Sequence, residues 1–213
     1  VRLLHWVNAF ALVVMAGSGL QILVAYPRMG PQGELYRWYP LQDWLPPEWM
    51  RVGGWLAGGR AWHFAFAWLL ILNGLAYLAY LAISGEWRRR LFLPRRDARA
   101  ALQMVAYYLR LRKTPPEQGL YNGLQRATYT GVLGLGILVV LSGLALYKPV
   151  QLELLTRVLG GYDVARLIHF VTLAFFAGFT VTHLVLVTLH PRALAEIFTG
   201  GSVAPVARED RRG

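Results

Sequence analysis

The 213-residue chain contains no cysteine. That absence excludes disulfides, iron–sulfur clusters, thiolate zinc sites and covalent attachment of a c-type haem, all of which need the sulfur of Cys. Any cofactor must be held by His, Met or main chain. Acidic residues are scarce, 11 against 22 Lys and Arg, for a formal net charge of +11. Charge of either sign is thin: 15% of residues are charged and 56% hydrophobic, with a mean hydropathy of +0.39, where soluble domains average about 25% charged. These proportions exclude an ordinary water-soluble fold.

Four runs lack Asp, Glu, Lys and Arg altogether: Leu3 to Pro27, Ala61 to Gly85, Ala127 to Tyr147 and Leu167 to Pro191. Each reaches the ~18–20 apolar residues that cross a bilayer as a helix, and none alternates as a barrel strand must. A spanning segment has to satisfy its own backbone in hydrocarbon, so the runs read as helices. The expected fold class is an all-α membrane protein, a four-transmembrane-helix bundle with helices at about 3–25, 61–85, 127–147 and 167–190 in one domain over 1–199. Residues 200–213 read as a disordered cytoplasmic tail. The first run is too long for a signal peptide and lacks a small-residue cleavage site at its end, so it reads as a mature span. No internal sequence repeat is evident.

Lys and Arg number four in the first connection, ten in the second, three in the third and four after the last span. The positive-inside rule then places the second connection and both termini in the cytoplasm of a bacterium, in a multi-pass protein of the inner membrane. Topology accounts for the basic excess, so no nucleic-acid partner is expected. The first connection, 26–60, mixes prolines with Trp38, Trp44, Trp49 and Trp55. It reads both as an interfacial aromatic belt and as a rigid docking platform for a partner outside the membrane. A second copy of the chain is a further candidate partner. Surface helices are expected at Ala98 to Lys113, stopped by Thr114-Pro115-Pro116, and at Gln151 to Leu159, closed by Gly160-Gly161.

Ionisable residues inside a span demand a reason. Four of the five histidines lie in spans: His5 in the first, His63 in the second, His169 and His183 in the fourth. The last two are fourteen residues apart, about four turns less 40°, so they project from nearly one face about 21 Å apart along the axis. By depth the set resolves into two pairs, His5 with His183 near the cytoplasmic side and His63 with His169 near the outer side. Two neutral imidazoles at each level, with no thiolate available, suit a six-coordinate haem iron that carries electrons, and are too few for zinc.

Three of these histidines follow the pattern Arg-x-x-His, through Arg2, Arg60 and Arg166. The spacing puts each guanidinium one turn away on the same face, either to meet a haem propionate or simply to reach water. Arg126 is a further propionate candidate. Gly17, Gly19, Gly131, Gly134, Gly136 and Gly143 remove side chains where a flat macrocycle passes, or serve close helix packing. His190, Asn73 and Tyr129 are the candidate quinone contacts.

Arg2-Leu3-Leu4-His5-Trp6, Gly59-Arg60-Ala61-Trp62-His63-Phe64, Tyr121-Asn122-Gly123-Leu124-Gln125-Arg126 and Arg166-Leu167-Ile168-His169 with His183 resemble the bacterial di-haem cytochrome b family. Its members include the membrane subunits of nickel-iron hydrogenases, formate dehydrogenases and thiosulfate reductases. The resemblance runs to about Gly200, and the segment from Gly59 to Leu81 is most similar to members that accompany periplasmic molybdenum enzymes. It implies two haems b, a quinone or quinol as exchangeable substrate, and electron transfer to a periplasmic catalytic redox subunit docked on 26–60. It also implies the same histidine pairing as the depth argument. The rival readings are a free-standing haem quinone oxidoreductase and a haem-free membrane anchor or transporter. Against transport, proline is absent from the interior of all four spans.

Overall fold

The computed structural model describes residues 2–31, 34, 44–116, 121–189 and 197–198. In chain order its helices are α1 (Arg2–Ala25), α2 (Leu56–Ser84), α3 (Trp87–Arg90), α4 (Pro94–Tyr108), α5 (Gly123–Tyr147), α6 (Glu153–Val158) and α7 (Tyr162–Leu189), with a 3-10 turn at Glu48–Met50. Among the described residues there is no strand. The helices α1, α2, α5 and α7 are long and apolar enough to cross a membrane, and each is continuous. The expected tail, 200–213, lies outside the described residues.

All four spans start earlier than their charge-free runs, α1 by one residue and the other three by four or five. Helix α2 begins at Leu56 and takes in Arg60, because a guanidinium near a helix end reaches the aqueous boundary while its stem stays in apolar surroundings. Helix α5 begins at Gly123, where Asn122 and Gln125 form a reciprocal cap. The Asn122 side chain accepts from the Gln125 amide at 2.8 Å, and the Gln125 side chain accepts from the Asn122 amide at 3.0 Å. Helix α7 begins at Tyr162, directly after Gly160 and Gly161 take left-handed φ values of 86° and 94° to end α6. Helix α4 starts at Pro94, pre-organised for a first turn, and stops at Tyr108, short of the expected proline break, as Arg110 turns to φ 60°.

Helix α1 packs along α2 and α5 along α7, whereas α2 and α5 touch sparsely. The bundle is thus two helix pairs with a space between them. Asn73 ties the first pair together: its amide donates to the Leu4 carbonyl at 2.8 Å and the Asn8 side chain at 2.7 Å. The first connection returns against α1, where the Val52 amide donates to the Gly17 carbonyl at 3.1 Å and the Val52 side chain takes the room a Cβ on Gly17 would need. Apart from Val14, Leu81 and Phe176, the buried positions of the spans are small or polar, including Ala11, Ser18, Ser142, Ala145 and Thr172, while many large apolar side chains, Leu72, Val181 and Leu184 among them, point outward. That inversion suits a bundle solvated by lipid, where close packing and hydrogen bonds hold the helices together.

At the end where α4 lies, Asp97 is 2% exposed and fully engaged. It accepts from Arg96 at 2.7 and 2.8 Å, from the Leu93 amide at 2.8 Å and from Arg126 at 2.6 Å. Arg126 also donates to the Arg89 carbonyl at 3.0 Å. Arg126, a propionate candidate by sequence, is thus engaged by Asp97 and the Arg89 carbonyl and clamps α4 onto the start of α5.

Candidate functional site between the helix pairs

The space between the two helix pairs is bridged twice by histidines. His63 of α2 faces His169 of α7 with ring centroids 6.2 Å apart, and His5 of α1 faces His183 of α7 at 6.1 Å. Two imidazoles sharing one metal ion place a nitrogen about 2.0 Å from it on each side, and each nitrogen sits about 1.1 Å from its ring centre, so their centroids lie about 6.2 Å apart. Both pairs are therefore spaced so that a single metal atom would fit between the two rings. Among the described residues no three of His, Asp or Glu converge on a metal site, so a metal held at either level would take two histidines from the protein and its remaining donors from another group, such as a macrocycle.

A cavity of about 730 Å³ opens at the His63–His169 pair, within the ~300–1,000 Å³ typical of cofactor sites. Its walls are apolar, with Leu12 and Met15 of α1, Ile71 of α2, Val140 of α5 and Leu173 of α7. Gly19 and Gly143 bring backbone close to the two rings: a Cβ there would stand 3.4 Å and 3.2 Å from the Cε1 atoms of His63 and His169. Gly17 faces the first connection instead, and nothing lies within 4 Å of a Cβ placed on Gly131, Gly134 or Gly136. Two of the six glycines singled out by sequence thus line this site.

Arg60 and Arg166 also line the cavity. Arg60 lies over the Phe64 ring at 5.7 Å and Arg166 over Tyr26 at 4.6 Å, with Arg166 donating to the Arg28 carbonyl. The Nε of Arg166 is buried and has no hydrogen-bond partner. An unpartnered cationic donor at the wall of an apolar cavity calls for an anionic acceptor. The donor set therefore fits a haem b, whose iron would take the two imidazoles and whose carboxylates would meet the guanidinium groups.

The second pair is framed differently. His5 touches Trp6 edge-on at 5.4 Å, and Phe179 stacks on His183 at 5.8 Å. Arg2, one turn from His5, is exposed and donates to the Phe198 carbonyl at 3.2 Å. Asn73 is 7% exposed, with its amide turned into α1. Tyr129 packs edge-on against Tyr121 at 5.7 Å. His190 lies outside the described residues.

Sequence reasoning missed two residues here. Ser18 and Ser142 each place Oγ 3.0 Å from a histidine Nδ1, that of His63 and that of His169. A signal for them was present: Ser18-Gly19-Leu20 and Ser142-Gly143-Leu144 are the same tripeptide, each followed in the next spanning helix by Arg-x-x-His. The apparent absence of a repeat is corrected accordingly, since α1–α2 and α5–α7 repeat this local motif around one cavity.

The prokaryotic cytochrome b561 family profile matches residues 1–200. A protein of Azospira oryzae, named provisionally as a protein-methionine-sulfoxide reductase subunit, YedZ1, is 36% identical over 201 residues, covering 94% of this chain and 93% of that protein. No solved structure matches the chain.

Proposed function

The chain belongs to the prokaryotic cytochrome b561 family, a b-type haem electron-transfer subunit of the bacterial inner membrane, and we propose that it holds two haems b. One is held by His63 and His169, the other by His5 and His183. The observation that carries this reading is the equal spacing of the two pairs, 6.2 and 6.1 Å, at two levels of α7. Each haem, when bound, supplies one-electron chemistry at its iron.

The chain's own residues prepare the sites. The histidines ligate, Gly19 and Gly143 leave room beside the rings, and the apolar walls exclude water. Arg60 and Arg166 supply cationic donors for the propionates of one site, and Arg2 for those of the other. The positive-inside rule orients the α4 end toward the cytoplasm, which puts His63 and His169 on the periplasmic side. There a catalytic oxidoreductase docks on the first connection, where Trp44, Trp49 and Trp55 are exposed, Trp49 by 83%. The name of the Azospira oryzae relative favours a protein-methionine-sulfoxide reductase over a hydrogenase as that partner. Quinone exchanges electrons on the cytoplasmic side near His5 and His183, with Tyr129 and His190 as contacts. The amide of Asn73 is already engaged by α1.

The test is a dithionite-reduced minus oxidised spectrum of the purified protein with a pyridine-haemochrome count. Two low-spin haems b per chain are expected. One would leave a histidine pair without its haem, and none would overturn the reading. A finer check is Gly143→Ala. Alanine suits a helix interior better than glycine by about 1 kcal/mol, so the fold should persist while the new methyl group crowds His169. Haem occupancy at that pair should fall with the yield of folded protein unchanged. An unaltered haem-to-protein ratio and spectrum would show that the ring has room to yield.

A further inference from the structure

Ser18 and Ser142 occupy equivalent places in the two helix pairs. Both are fully buried, at 0% exposure, and each sits on the helix beside a histidine-bearing neighbour, Ser18 next to His63 and Ser142 next to His169. Each hydroxyl stands 3.0 Å from its histidine Nδ1. Each also stands within donating distance of the carbonyl four residues earlier, Val14 at 2.6 Å and Leu138 at 2.7 Å.

That second contact decides the direction of the first. A carbonyl oxygen only accepts, and a serine has one hydroxyl proton. If the serine gave its proton to the imidazole, two oxygens would face each other at 2.6–2.7 Å with no hydrogen between them. The proton therefore goes to the carbonyl, and the serine oxygen accepts from Nδ1–H. Each hydroxyl also lies 3.2 Å from the carbonyl three residues earlier, Met15 for Ser18 and Val139 for Ser142. The register is the same in both halves.

We infer that Ser18 and Ser142 are matched positioning residues, locking His63 and His169 as Nδ1–H tautomers so that both turn an unprotonated Nε2 toward the shared haem iron. The inference rests on the haem reading of this pair. A ligand histidine whose second nitrogen donates a hydrogen bond is a stronger base toward the metal, which favours the oxidised iron and lowers the reduction potential. Among the described residues no hydrogen bond reaches the ring of His5 or His183, so the device acts at one of the two centres.

The experiment is a redox titration of the full-length protein, followed optically and by low-spin electron paramagnetic resonance, for the wild type, Ser18→Ala, Ser142→Ala, the double variant and His63→Ala. Alanine is smaller than serine and favours helix, so the serine variants should fold and keep both haems. Each single change should raise one midpoint potential and shift that centre's resonance signature, the double variant should raise it further, and the other midpoint should stay in place. A double variant with two haems and both midpoints unmoved would overturn the inference, as would equal movement of both. If His63→Ala retains two haems, the haem assignment of this pair fails first and takes the serine role with it.

Discussion

Replacing His169 with alanine is expected to halve the haem content, from two per chain to one, and to remove one of two redox waves while the other keeps its midpoint. On the proposed reading the iron at that level would have His63 and His169 as its protein ligands, their rings 6.2 Å apart, and no third His, Asp or Glu converges there among the described residues to replace a lost one. The other pair is fourteen residues further along α7, about 21 Å away by helical rise, and sites so separated behave independently. The sharper part of the prediction is equivalence within pairs. His63→Ala and His169→Ala should lose the same wave, and His5→Ala and His183→Ala the other. A double variant at His169 and His183, both on one helix, should be haem-free. Haemochrome counts and potentiometry on the four single variants decide the matter, and loss of different waves by His63→Ala and His169→Ala would break the pairing.

The second large effect belongs to Asp97. Its carboxylate is buried and held first by the Arg96 guanidinium, then by the Leu93 amide and Arg126, which together outweigh burial and keep its pKa well below the ordinary carboxylate range. Asp97→Asn leaves Arg126, itself largely buried, without its counter-charge, a change that costs about 3 kcal/mol and releases α4 from α5. A carboxyl whose pKa falls on folding contributes stability that is complete above its unfolded value of 3.8. That contribution is lost as pH drops below the unfolded value. The stability gap between wild type and Asp97→Asn should therefore be constant above about pH 5 and shrink below about pH 4. Thermal unfolding in detergent across that range measures it, and a gap that widens in acid would refute the sign. The haem spectrum should not move, because the Asp97–Arg126 clamp touches neither histidine pair.

Much of the architecture is a property of local composition. Hydrophobicity sums over a window, so four charge-free runs mark four spans without knowledge of their neighbours. Helical periodicity alone puts His169 and His183 on one face, and depth counting matches them to His63 and His5. The same local logic misplaces helix starts, because Arg60 and Arg166 interrupt a charge count without interrupting a helix.

What required the tertiary structure is whatever depends on the rotation and separation of two helices to within an ångström. Asn73 looked like a free polar contact until α1 supplied both its acceptors. Arg126 carries a charge suited to a propionate, yet α4 folds back to bring Asp97 within 2.6 Å. Ser18 and Ser142 are unremarkable as letters in apolar runs, and they matter only because helix packing sets each hydroxyl between a carbonyl and an imidazole. Spans follow from a transfer free energy that adds residue by residue, whereas a hydrogen bond forms or fails on a distance that no single segment contains.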